Sequence, residues 1–236
     1  TDEFFEQYKS LFLKLSEQFE NEESGLKSQL AKAGIDIPRF TKKLLGQIVF
    51  LYFIQKKGWL GVPKNGKWGE GLKRYLQNLY DDAIENGKNF FGDYLQHLFY
   101  KALAHKHNDE GIKGYFAKLG CKVPFLNGGL FEADYDWQNS HIKLPNDLFR
   151  NEEPIKKTGD IGTGVLNVFD RYNFTIKEDE PLEKEVAVDP EMLGKVFENM
   201  LEVTERKSKG AFYTPREIVH YMCQESLIHY LDNAVN

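Results

Sequence analysis

The chain has 236 residues, a net charge of −5, 41% apolar and 28% charged residues, which is the balance of an ordinary globular protein long enough to bury a substantial core. Disorder throughout and a surface that is basic all over are both excluded. The longest apolar run, Ile48 to Ile54, is too short to span a bilayer, and the first residues carry neither the basic nor the apolar region of a signal peptide, so a cytoplasmic protein with no membrane partner is expected.

In chain order, Phe4, Phe5, Tyr8, Leu11, Phe12, Leu15 and Phe19 follow the helical period and predict an amphipathic helix. Gly34 interrupts. Pro38 then opens a second helix whose apolar residues, Leu44, Leu45 and Ile48 through Ile54, cover nearly its whole circumference, so it belongs at the centre of a core. Lys56, Lys57 and Gly58 suit its end, and Trp59 to Gly69 reads as a loop. A third helix carries Leu72, Tyr75, Leu76, Leu79, Tyr80 and Ala83 and stops at Asn86-Gly87. A fourth runs from about Phe90 to Leu103, and the first hundred residues therefore read as a helical bundle.

From Gly120 to Pro145 the texture changes to loops with one or two short strands, with a turn at Asn127-Gly128-Gly129 and short segments at Leu130-Phe131 and His141 to Leu144. Val165 to Phe169 predicts a short helix, Phe174 to Ile176 a brief extended piece, and Glu178 to Glu185 a solvated acidic loop. Asp189 and Pro190 suit the start of a helix bearing Leu193, Val196, Phe197, Met200 and Leu201. The expected fold is mainly α, a helical bundle with a few short strands and long loops. The expected divisions are a bundle over 1–119, a loop-rich connector over 120–188 and a helical lead-in over 189–236.

Several groupings could suggest chemistry, and each has a plainer reading. His105 and His107 lack a third metal ligand, and Cys121 and Cys223 stand far apart as reduced thiols, so no metal site is expected. Gly159, Gly162 and Gly164 do not have the spacing of a phosphate loop. The paired carboxylates Asp81-Asp82, Glu152-Glu153 and Glu22-Glu23 fall on polar faces or loops. Glu205 and Lys207 have the spacing of a nuclease E-x-K but sit in a charged linker, and no catalytic residue is assigned anywhere in the chain.

The densest signal is Lys209 to Cys223, K-G-A-F-Y-T-P-R-E-I-V-H-Y-M-C. Thr214, Pro215 and Glu217 form a capping box that starts a helix, and Val219, Met222, Cys223, Leu227, Tyr230 and Leu231 give that helix a face expected to pack against something. Gly210 frees the backbone ahead of it, and Phe212 and Tyr213 set two rings at its entrance, where ligands dock.

Gly210 to Pro215 resembles the G-x-F/Y-Y-T-P element, motif X, of the gamma-type adenine-N6 DNA methyltransferases, and most closely the fused Eco57I-like (type IIG) restriction-modification enzymes. Ile48 to Leu60, Pro124 to Glu132 and Val188 to Asn199 are similar to stretches that precede motif X there. The resemblance implies that Gly210, Phe212, Tyr213, Thr214 and Pro215 contact S-adenosylmethionine. It also implies double-stranded DNA as the parent protein's partner, a downstream methyltransferase core and an upstream nuclease module. The D-P-A-C-G-S-G-type and N-P-P-Y-type strings of that core do not occur in the chain, and Thr1 is not an initiator methionine. A fragment that frames the cofactor pocket and has no turnover of its own is therefore expected. The alternative is a non-catalytic connector or interaction module, and Arg206, Lys207 and Lys209 are candidates for DNA-backbone contact.

Overall fold

Helix α3, Ile37–Lys56, organises the computed structural model, which describes residues 2–126, 129–155, 159–174, 187–188 and 216–235. Asp36 caps α3, its Oδ1 accepting from the Arg39 amide at 2.9 Å, and Pro38 occupies the first turn, where no amide donor is needed. Its apolar residues leave no polar side, and fourteen of its twenty residues are buried. Gly58 ends the run with φ 69°, a left-handed conformation natural to glycine.

Around α3 the amphipathic helices lay down their apolar faces. Helix α1, Asp2–Glu20, buries Phe4, Tyr8, Leu11, Leu15 and Phe19 at alternating three- and four-residue spacing, and it packs directly on α3. A short helix α2, Leu26–Lys32, lies between them in sequence and was not expected, because only Leu26 and Leu30 mark its buried side. Helix α4, Tyr75–Glu85, begins three residues later than the apolar pattern suggests. Leu72 belongs instead to the preceding loop, where its amide donates to the Leu60 carbonyl at 2.9 Å and its side chain is exposed.

The segment from Phe90 to Leu103 is helical as expected but wider than an α-helix. Phe90–Leu95 and Leu98–Leu103 are π-helical, joined through Gln96 and His97. The buried set explains the widening: Phe90, Phe91, Leu95, Leu98, Phe99, Tyr100, Ala102 and Leu103 all lie in the core. Several of these are adjacent in sequence, and an ordinary helix would splay adjacent residues apart.

The short strands agree with the expected regions in part: Cys121–Lys122 falls within 120–145 and Asn173–Phe174 overlaps the extended piece expected from Phe174, whereas Tyr115–Phe116 lies ahead of them. β1, Tyr115–Phe116, pairs antiparallel with β2, Cys121–Lys122, and Val62 bridges to Lys122. Leu130-Phe131 and His141 to Leu144 are irregular, with Phe131, Ile142 and Leu144 serving as isolated buried anchors. Between them lies helix α5, Trp137–Ser140. Helix α6, Val165–Phe169, forms where the sequence places it, and β3, Asn173–Phe174, pairs in parallel with β4, Ala187–Val188. One aromatic cluster joins these late elements to the bundle: Phe174 stands 4.9 Å from Tyr52 and 5.1 Å from Phe53, ring centre to ring centre, and Phe169 stands 5.6 Å from Tyr52. Beneath it the Tyr52 hydroxyl donates to Asp170 Oδ1 at 2.8 Å and accepts from Gln77 Nε2 at 3.0 Å, which ties α3, α4 and the end of α6 through one polar knot.

The last helix, α7, Arg216–Val235, does not have the packed face expected of it: Tyr221, Met222, Leu227, Ile228, Tyr230 and Leu231 are exposed, Tyr230 to 70%. The predicted turn at Asn127-Gly128, the acidic loop and the helix after Asp189 lie outside the described residues, as does Thr214. Among the described residues, no helix is long and apolar enough to cross a membrane.

The loop after α3 gives a test of backbone constraint. The Gly58 carbonyl accepts from the Gly69 amide at 3.0 Å and the Gly71 amide at 2.8 Å, and a Cβ on Gly58 would overlap the Gly69 carbonyl. Gly87 also has a positive φ, 62°, but a Cβ there meets nothing. In urea denaturation, Gly58→Ala is expected to cost about 2–4 kcal/mol from strain plus overlap, and Gly87→Ala only about 1 kcal/mol from strain. Equal losses would refute the close-approach role of Gly58.

Candidate functional site

The residues assigned to the cofactor, Gly210, Phe212, Tyr213, Thr214 and Pro215, lie outside the described residues. So do Glu205, Arg206, Lys207 and Lys209. What is described there is the following helix α7, on which Cys223 is an exposed free thiol. The other thiol, Cys121, is buried 3.4 Å from the Tyr75 hydroxyl, and burial raises its pKa.

The weaker groupings serve the fold. His107 Nε2 lies 2.9 Å from the Lys101 carbonyl and its ring packs on Phe116. Asp81 pairs with Arg150 at 3.0 Å, and Asp82 accepts from the Tyr94 hydroxyl. Thr163 and Lys14 both donate to Glu153 and hold its carboxyl below the usual range. Gly164 caps α6 where a Cβ would overlap the Phe149 carbonyl, so this glycine serves close packing, whereas a Cβ on Gly159 would meet nothing.

One cleft brings together groups that no motif announced. It has a volume of about 330 Å³ and is lined from three chain segments: Gly92 to Lys101 of the π-helical region, Trp137 and Gln138 of α5, and His141 to Lys143 beyond it. Gly92 makes this convergence geometrically feasible, since a Cβ there would stand 2.9 Å from the Ile142 carbonyl oxygen. His97 sits between the two π-helical segments, with its ring edge-on to Trp137 at 5.1 Å. His141 adopts φ 48°, one of two non-glycine residues with positive φ among those described. π-helical turns and left-handed non-glycine residues are both enriched at functional sites, and here they border the same space.

The electrostatics of this cleft are one-sided. Lys118, from the turn between β1 and β2, donates to His97 Nε2 at 2.6 Å. An ammonium can only donate, so His97 is neutral and its proton resides on Nδ1, which is buried with no partner among the described residues. Burial first, then the charges of Lys118 and Lys101, push the His97 pKa down to about 4. Burial and Lys101 also lower the pKa of Lys118. Asp93 is the one carboxylate lining the cleft, and it accepts from the Asn89 amide at 2.8 Å. By contrast, in the pocket beside Asp36 both cations, Arg39 and Lys43, are paired with Asp134 at 3.3 and 3.0 Å.

Sequence reasoning missed this cleft because its parts are distant in the chain and individually ordinary. The nearest thing to a signal was the density of His and Lys with Trp137 over 97–143.

Comparison with known proteins adds one likeness. The chain is 30% identical, over 199 residues, to a protein of Methanocaldococcus jannaschii that carries the provisional name of a type II restriction enzyme and methyltransferase. The match covers 82% of this chain and 15% of that protein, so the chain is similar to a small part of a much longer restriction-modification protein. No family model matches the chain, and no solved structure matches it.

His97 supplies a pH test. An unfolded imidazole binds its proton near pH ~6.5, whereas folded His97 does so only at about 4. Between those values the unfolded chain holds the extra proton, so stability present above the unfolded pKa declines as the pH falls toward the folded one. Histidine-detected NMR is expected to show a midpoint for His97 at about 4, rising in Lys118→Ala. A midpoint near that of the exposed histidines would contradict the buried, cation-flanked environment.

Proposed function

We propose that the chain is the region of a restriction-modification enzyme that leads into an adenine-N6 DNA methyltransferase domain and forms one wall of its S-adenosylmethionine pocket. The observation that carries this reading is the conjunction of Gly210-Ala211-Phe212-Tyr213-Thr214-Pro215 with helix α7, which begins at Arg216, in a chain similar to a restriction-modification protein. In this reading the free amides of the first helical turn and the Thr214 hydroxyl receive the carboxylate of the cofactor's methionine part, while Phe212 and Tyr213 line the pocket and Gly210 lets the backbone approach. The cofactor supplies an electrophilic methyl group, and double-stranded DNA supplies the adenine amine, presented by base flipping in the methyltransferase core.

The exposed apolar residues of α7 fit the same reading. Large apolar side chains exposed along a helix mark a surface covered in a larger assembly, and the methyltransferase core is the partner proposed to cover Leu227, Ile228 and Leu231. Residues 1–119, 120–188 and 189–236 then act as bundle, connector and lead-in, with any nuclease module upstream. This segment has no catalytic residue of its own and transfers no methyl group alone.

Isothermal titration of the full-length enzyme with S-adenosylmethionine tests the pocket. Tyr213→Ala and Thr214→Ala are each expected to weaken binding by about 10- to 100-fold, the equivalent of losing one or two polar or packing contacts, with the melting temperature unchanged. If affinity is unaffected and the fold survives, the stretch is packing within a non-catalytic connector and the pocket assignment is wrong.

A further inference from the structure

We propose that the cleft between the π-helical segments and the 137–143 loop is a docking site for the phosphate backbone of duplex nucleic acid. It stands apart from the motif X region, and it rests on the chemistry of the cleft and not on the methyltransferase reading.

Lys101, Lys118 and Lys143 come from three separate segments, are exposed, and take part in none of the ion pairs formed among the described residues. Lys101 and Lys143 line the cleft, and Lys118 reaches it through His97. Three lysines gathered about a single carboxylate, Asp93, leave an excess of positive charge, and in a chain of net charge −5 such a cluster is not a reflection of overall composition. The arrangement is stabilised by an anion that bridges them.

The geometry favours a backbone over bases. Trp137 is engaged by His97 at 5.1 Å and by Tyr100 at 5.9 Å, so its ring is held by protein neighbours and does not present a free stacking platform. Single strands are recognised mainly through such platforms, whereas a duplex offers regularly spaced phosphates to lysines and N–H donors.

The test uses the full-length protein and a fluorescently labelled DNA duplex, with affinity measured across a salt series. Each of Lys101→Ala, Lys118→Ala and Lys143→Ala is expected to lower the magnitude of the log–log salt slope by roughly 0.9, and the triple variant by roughly 2–3, as phosphate contacts are lost. Arginine at the three positions is expected to restore the slope, Lys9→Ala to leave it unchanged, and the Trp137 indole N–H resonance to shift as duplex is added. The proposal fails if the triple variant keeps the wild-type slope, if the protein shows no binding to duplex, or if single-stranded DNA or a polyglutamate peptide binds as tightly as the duplex. Adenine methylation assayed on the same preparations separates the two readings. Methylation with an unchanged slope sinks only the cleft, and a reduced slope without methylation sinks only the methyltransferase assignment.

Discussion

Helix α3 can exist in water only if other elements surround it. Its twenty residues include no continuous polar face, and each large side chain it buries contributes about 1.5–3 kcal/mol only when removed from solvent. The rest of the described chain answers that requirement. α1 and α4 each bring an amphipathic face, the π-helical region brings a broad one, and the segments after Phe131 supply isolated aromatic anchors that close the remaining gaps. The Tyr52, Gln77 and Asp170 knot fixes how these pieces meet, because a polar group buried out of register would lose its partner.

The same demand for burial produces the cleft. Widening the helix from Phe90 to Leu103 sends consecutive apolar residues inward, and it leaves Gln96 and His97 where the two π-helical segments meet. Gly92 then admits the Ile142 backbone, which carries His141 and Lys143 to the rim. Packing thus assembles cations that lie on three separate segments of the chain. Elsewhere on the bundle, cations are matched by carboxylates, as at Asp134 and Asp81. Here they are not.

Helix α7 is the counterpart of α3 with the opposite outcome. Both carry large apolar side chains on more than one side, but one is enclosed and the other, with polar residues interspersed, exposes Tyr221, Leu227 and Tyr230. An exposed helix of that kind is a surface that awaits a partner.

The sequence by itself determined the features that local physics controls. The period of α1, the all-round apolar character of α3, its opening at Pro38, the stops at Gly58 and Gly87, and the short helix at Val165 are set within a few residues of each other, and they form as read. The motif X-like string is local too, which is why it was legible, although its five residues lie outside the described structure. Tertiary structure alone decided the π-helical widening, the position of the β1–β2 pair, the independent helix α2, the contact of Lys118 with His97 and the gathering of Lys101 and Lys143 at the same cleft. Each of those depends on which distant surface packs against which. A one-dimensional pattern records the tendency of a residue to be buried, and it does not record the neighbour that buries it.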